Sequence, residues 1–97
     1  MKLTIQGKNL EVTNGLKQYA EKRLSSLDRF SRNIIDSELI LEEEKGRVKG
    51  EMIVKVKGNT LKVTAVGKDA FNAIDELKDK IKSQLKRYED KLKDRRA

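Results

Sequence analysis

The chain has 97 residues, of which 40% are charged and 36% hydrophobic, with 23 Lys or Arg against 16 Asp or Glu and a formal net charge of +7. A single domain of this size, spanning 1–97, buries roughly two-thirds of the surface its unfolded chain exposes and needs no staples. The absence of Cys removes disulfides, thiolate metal sites and thiol nucleophiles, and the absence of His removes the commonest proton-transfer group near neutral pH. The composition therefore points away from catalysis and towards an anionic partner.

The opening MKLTIQGKNLEV has no apolar run of signal-peptide or membrane-spanning length, so a cytoplasmic protein that does not engage a membrane is expected. Leu3 and Ile5 alternate with Lys2, Thr4 and Gln6, which predicts a short strand. From Thr13 the period changes, and Leu16, Ala20, Leu24 and Leu27 recur every three or four residues, with Tyr19 and Phe30 beside the stripe. This predicts an amphipathic helix with Thr13 as its N-cap. Asn14-Gly15 is also a hairpin dipeptide, but the helical period that follows outweighs it.

Period two returns with Ile35, Leu39 and Leu41, followed by Glu42, Glu43 and Glu44 and a turn at EKGR. Val48, Gly50, Met52, Val54 and Val56 then alternate with Lys49, Glu51, Ile53, Lys55 and Lys57, the clearest half-buried strand in the chain. Gly58-Asn59 reads as a two-residue hairpin into Leu61, Val63 and Ala65. After Gly67, Ala70, Ile74, Leu77, Ile81, Leu85, Tyr88 and Leu92 form one long helical stripe that Asp69 is placed to cap. The order is β-α-β-β-β-α, an α+β fold in which two helices cover one face of a four-stranded sheet. The other face is solvated, as antiparallel sheets allow. The last few residues lie beyond the reach of the core and are expected to fray.

Charge is distributed unevenly over these elements. Residues 1–12 carry +1 and 33–67 are neutral, whereas 13–32 carry +3, 68–77 carry −2 and 78–97 carry +5. At 100° per residue, Lys80, Gln84, Arg87 and Lys91 follow one flank of the last helix with no acid among them. The other flank mixes Lys82, Lys86 and Lys93 with Asp75 and Glu89. On the first helix Lys22, Ser26 and Arg29 make a shorter outward row, with Arg23 at the edge of the buried face. A solvated helix surface explains such rows about as well as a binding site does. The asymmetry between the flanks favours phosphate binding, in which neutralised phosphates release counterions without base recognition. Tyr19, Phe30, Phe71 and Tyr88 all have core or flanking roles, so structured RNA read by shape suits the chain better than a single-strand stacking platform.

Other candidates are weaker. Consecutive strand residues point to opposite faces, so Glu42, Glu43 and Glu44 make a charged hairpin end rather than a metal cluster. Asp75, Glu76 and Asp79 lie in early helical turns, where carboxylates meet the helix dipole favourably. Gly67-Lys68 lacks the spacing of a phosphate loop. No Ser has a base to activate it. No catalytic residue, metal or cofactor is expected.

Two stretches, GKNLEVTNGLKQYAEKRLSSLDRF and VGKDAFNAIDELKDKIKSQLKRYEDKLK, resemble the ribosome hibernation-promoting factor and ribosome-associated inhibitor A family across almost the whole chain. The motifs N-x-E-V-T, D-A-x-x-A-I-D-x-L and K-I-x-x-Q-L carry the likeness. The resemblance implies a fold like the double-stranded-RNA-binding domain, seated on the small ribosomal subunit and its rRNA in the path of messenger and transfer RNA. It thus implies a factor that silences ribosomes under stress or in stationary phase. It places Lys80, Gln84, Arg87 and Lys91 of the last helix, with Lys17 and Arg23 of the first, at the family's contact positions. Ser83 and Ser26 stand where members often carry Arg and Lys. The chain corresponds to a short member or to the ribosome-binding part of a long one, so ribosome dimerisation would require another factor or a C-terminal domain. A general structured-RNA-binding module, or a protein-interaction domain using the sheet face, remains the alternative.

Overall fold

The computed structural model describes residues 2–94, and for Lys93 and Asp94 the backbone only. Its elements are β1 (Leu3–Lys8), α1 (Asn14–Leu24), a 3-10 helix (Ser25–Asn33), β2 (Ile34–Glu44), β3 (Arg47–Val56), β4 (Asn59–Gly67) and α2 (Ala70–Asp94). The strands form one four-stranded sheet in the order β1-β2-β3-β4, in agreement with the β-α-β-β-β-α reading. The expected fraying of the final residues falls outside the described residues.

Both helices begin where their capping residues stand. The Leu16 amide donates to Thr13 Oγ1 at 3.1 Å, and the Asn72 amide donates to Asp69 Oδ1 at 2.8 Å. Each bond satisfies an amide that the first helical turn leaves without a partner. The apolar stripe of the first helix is longer than its α-helical part. After Leu24 the chain tightens into the 3-10 helix, which still buries Leu27 and Phe30.

The sheet is mixed rather than antiparallel. β2, β3 and β4 pair antiparallel, but β1 runs parallel to β2, with Leu3 opposite Ser37 and Lys8 opposite Glu42. A parallel pair needs a crossover, and α1 with the 3-10 helix supplies it. One turn is also shifted from its expected place. Asn59 is already paired with Val56, so the loop between β3 and β4 is Lys57-Gly58, with Gly58 at φ 79°. Between β2 and β3, Lys45 and Gly46 both take positive φ, the twist a two-residue hairpin requires.

A register irregularity between Ile34 and Asp36 alters one core assignment. Ile35 was expected on the apolar face of β2, but it is 62% exposed, and Ile34 packs against the core instead. The extra residue reverses the alternation at that point, because side chains change face with every residue. Ser37, Leu39 and Leu41 then face inwards, and the buried Ser37 hydroxyl donates to the Lys2 carbonyl at 2.5 Å.

One core lies between the sheet and the helices. Leu16, Ala20, Leu24, Leu27 and Phe30 meet Leu39, Met52, Val54, Ile74, Leu77, Ile81 and Leu85, with further small and branched residues around them. Two glycines bring α2 close to the sheet. A Cβ on Gly50 would lie 2.6 Å from Leu77 Cδ1, and one on Gly67 would lie 2.7 Å from the Ala73 amide nitrogen. Gly67 therefore faces helix backbone, which cannot step aside as a side chain can. Gly67→Ala should lower the unfolding free energy by about 1–3 kcal/mol in urea denaturation, whereas Val66→Thr, on the exposed side of the same strand, should stay within about 0.5 kcal/mol.

Candidate nucleic-acid interface

The two faces of the domain differ in electrostatic character. On the helix-free face of the sheet, the register places Glu42 between Lys8 and Lys49, Asp36 beside Lys55, and Ile53 between Glu38 and Lys62. Lys62 also pairs with Glu51 at 3.3 Å. Cations and carboxylates therefore alternate across that face, and like charges are kept apart. The same register accounts for Glu42, which stands opposite a lysine on each neighbouring strand. The excess positive charge lies on the helices.

The positions expected to bind RNA fall in three places. Lys80, Gln84, Arg87 and Lys91 follow the flank of α2 that overhangs β4. Lys80 Nζ donates to the Thr64 carbonyl at 2.7 Å, covering a backbone acceptor on a strand that has no neighbour on that side among the described residues. Lys80, Arg87 and Lys91 are exposed and Gln84 is half-buried. Lower on the same helix, Tyr88 Oη donates to the Lys57 carbonyl at 2.6 Å and fastens α2 to the β3–β4 turn.

Lys22 and Arg23 lie on the opposite side of α2, where α1 packs against it. There the structure adds a residue that the sequence had not singled out. Lys78 lines a shallow groove with Tyr19, Lys22, Arg23 and Ser26. Lys17 lies on the far side of α1, in a depression with Leu3, Glu21, Ser25 and Asp28. Arg29 is exposed on the 3-10 helix, its guanidinium carbon 4.9 Å from the centre of the Phe30 ring. The structure thus groups Lys22 with Arg23 and keeps the Lys80 row together, but α2 separates the two sets and Lys17 stands apart from both.

The seam between the helices is held by polar ties. Tyr19 Oη donates to Asp75, with oxygen separations of 2.8 and 3.0 Å, and Arg23 Nε donates to Tyr19 Oη at 3.2 Å. Arg23 Nε also lies 3.2 Å from Asp75 Oδ1. The hydrogen bond with Tyr19, and then the electrostatic influence of Tyr19 and the Asp75 carboxylate, raise the Arg23 guanidinium above its ordinary value, and it remains a cation. Further along, Asn33 Nδ2 donates to Glu89 at 3.2 Å. Asp75 is therefore a link between helices, whereas its sequence position suggested a partner for the helix dipole. Helical periodicity placed Asp75 on a flank and Tyr19 beside a stripe, but nothing in the order of residues says that these flanks meet.

The protein is an α+β domain in which a charge-balanced sheet face carries two helices that hold the basic rows. The chain belongs to the family described as sigma 54 modulation protein / S30EA ribosomal protein, whose sequence model matches residues 3–93. A ribosome hibernation promoting factor of Salmonella typhimurium is 33% identical over 93 residues, covering 96% of this chain and 98% of that one. One from Azotobacter vinelandii is 34% identical over 91 residues, covering 94% and 85%. Among solved structures, the N-terminal domain of Thermus thermophilus Protein Y superposes with a TM-score of 0.83 at 29% identity, covering 91% of this chain and 99% of that one. The resemblance read from the sequence motifs agrees with this membership.

The two tyrosine ties differ in what they join, and their removal should show it. Tyr19→Phe keeps the edge-on ring contact with Phe71, whose centroid is 4.9 Å away. It should nevertheless lose about 0.5–1.5 kcal/mol in denaturant unfolding, because the Asp75 carboxylate loses its hydroxyl donor. Tyr88→Phe should cost no more than Tyr19→Phe, since the exposed Lys57 carbonyl can take a water in place of the phenol.

Proposed function

We propose that this protein is a ribosome-associated hibernation factor. It acts in the cytoplasm, binds rRNA of the small ribosomal subunit through its helical face, and inhibits translation by occupying the path of messenger and transfer RNA. It works by binding rather than by turning over a substrate, and it serves under stress or in stationary phase. Pairing of ribosomes, where it occurs, depends on another factor or on a further domain.

The observation that carries this reading is the segregation of charge. Lys80, Gln84, Arg87 and Lys91 form a row on α2 with no acid inside it, and Lys22, Arg23 and Arg29 add exposed cations on α1 and the 3-10 helix, whereas the sheet face alternates in sign. Phosphate backbones attract such a surface without base contacts, and a structured RNA presents its phosphates in the fixed array that a rigid helical face can follow. The relatives named ribosome hibernation promoting factor match over nearly their whole length, which favours the ribosome over an arbitrary structured RNA. A general RNA-binding module is the competing reading, and it rests on the same charge distribution.

Sedimentation with purified small subunits, compared with free duplex RNA, separates the two readings: selective retention on subunits is expected, and equal retention favours the general module. If four to six phosphates are engaged, log affinity should fall against log salt with a slope of roughly 3 to 5. Reversing Arg87 and Lys91 to Glu on the helical face should lower subunit affinity by at least about tenfold. Reversing Lys49 and Lys55 on the sheet face changes net charge by the same amount and should have a much smaller effect. Equal losses would mean that total charge alone governs binding.

Occlusion makes a separate claim. Added protein should suppress initiation while leaving RNA intact, and it should compete with messenger and initiator transfer RNA for the small subunit. Stable simultaneous binding of all three in their normal positions, or cleaved RNA, would overturn the mechanism.

A further inference from the structure

The seam groove is lined by Tyr19, Lys22, Arg23, Ser26 and Lys78, and two of its three cations, Arg23 and Lys78, lie 3.2 and 3.4 Å from the carboxylates of Asp75 and Asp79. Lys78 is the most covered of the three, its side chain 25% exposed, and its ammonium lies 3.4 Å from the exposed Asp79. Ser26 Oγ donates its only proton to the Arg23 carbonyl at 3.3 Å and so offers the groove no donor. The positive wall consists of Lys22, Arg23 and Lys78.

Arg23 is held at one edge of its guanidinium, through Nε, by two groups that are bonded to each other. Its Nε faces Tyr19 Oη and Asp75 Oδ1, each at 3.2 Å. Since a guanidinium can only donate and a carboxylate can only accept, the phenol accepts from Arg23 and gives its own proton to Asp75. The Tyr19 ring is fixed in turn by Phe71, at 82° between ring planes, and lies 5.4 Å from the Arg23 guanidinium carbon. A planar fork anchored at Nε presents its remaining Nη donors as a unit, and those donors match the oxygens of a phosphate.

We propose that Asp75, acting through Tyr19, positions Arg23 to seat one phosphodiester in the seam between α1 and α2, with Lys22 and Lys78 completing the charge. This rests on the RNA-binding reading above and assigns Asp75 and Tyr19 as positioning residues. Its consequence runs against simple electrostatics. A carboxylate beside a polyanion site ordinarily opposes binding, so removing it should strengthen binding. If Asp75 orients Arg23, removing its charge weakens binding.

The test is Asp75→Asn, with affinity measured on purified small subunits. Although the variant gains one unit of positive charge, its affinity should fall about five- to tenfold, the effect of one charged hydrogen-bonding group losing its alignment. In an Arg23→Ala background the same substitution should leave affinity unchanged or raise it. Unchanged or tighter binding by Asp75→Asn alone would overturn the proposal. A loss that persists without Arg23 would do the same, by showing that the seam was merely loosened. A second measurement does not need the ribosome. Titration with a diribonucleoside monophosphate, which carries a single phosphodiester, should move the Arg23 side-chain nitrogen resonance more than those of Arg29 and Arg87, and Asp75→Asn should abolish that preference. If wild-type protein ignores subunits yet shows the preference, the ribosomal reading falls and the seat stands. If all three arginines respond alike, the seat falls whatever the subunits do.

Discussion

The close approach of α2 to β3 and β4 governs the rest of the molecule. Gly50 leaves room for Leu77, and Gly67 leaves room for the backbone at Ala73, so the first half of the helix rests almost directly on the sheet. That contact fixes the rotation of α2 about its axis. With Leu77, Ile81 and Leu85 turned fully inwards, one flank must overhang the outer edge of β4 and the other must face α1. Every later statement about which cations stand together follows from that rotation. A side chain at Gly67 would press on helix backbone, and interiors packed at crystalline density have little space in which to absorb the shift.

Lys80 combines two roles that are usually considered separately. An edge strand exposes a row of backbone donors and acceptors that invites pairing with other chains, and charged side chains placed along it discourage this. By donating to the Thr64 carbonyl, Lys80 protects the β4 edge while it keeps its charge at the start of the basic row. Its contribution to the surface field survives, but its reach towards a distant phosphate is shorter than that of Arg87 or Lys91, which make no such bond among the described residues. A contact made by Lys80 would have to come to the β4 edge.

The division of charge between the faces also has a physical basis. At physiological salt, fields from exposed charges decay over about 8 Å, so what an approaching polyanion meets depends on local balance more than on the total. Glu42 between Lys8 and Lys49, and Glu51 against Lys62, cancel nearby lysines on the sheet. On α2 no acid stands between Lys80 and Lys91 within their row, although Glu76, four residues before Lys80, and Asp90, three after Arg87, lie one helical turn from it. Two basic groups, one over β4 and one in the seam, thus flank a helix whose diameter with side chains is about 10–12 Å.

By itself the sequence determined the elements, their order, both caps and the alternation of the central strands, because these depend on residues within a few positions of one another. Thr13 and Asp69 reach amides three residues ahead, and β3 shows its inner and outer faces in the period of two. It also identified the residues that carry the excess charge. Only the tertiary structure decided that β1 runs parallel to β2, that the irregularity at Ile35 turns that side chain out and Ile34 in, and that Asp75 meets Tyr19 across 56 positions of chain. Helical periodicity gives a residue its angle around its own axis but not the neighbour that lies in that direction. For that reason Lys80 and Arg23 appeared in one list of basic positions, yet they lie on opposite sides of α2, and Lys78 became visible as a groove residue only when α1 packed beside it.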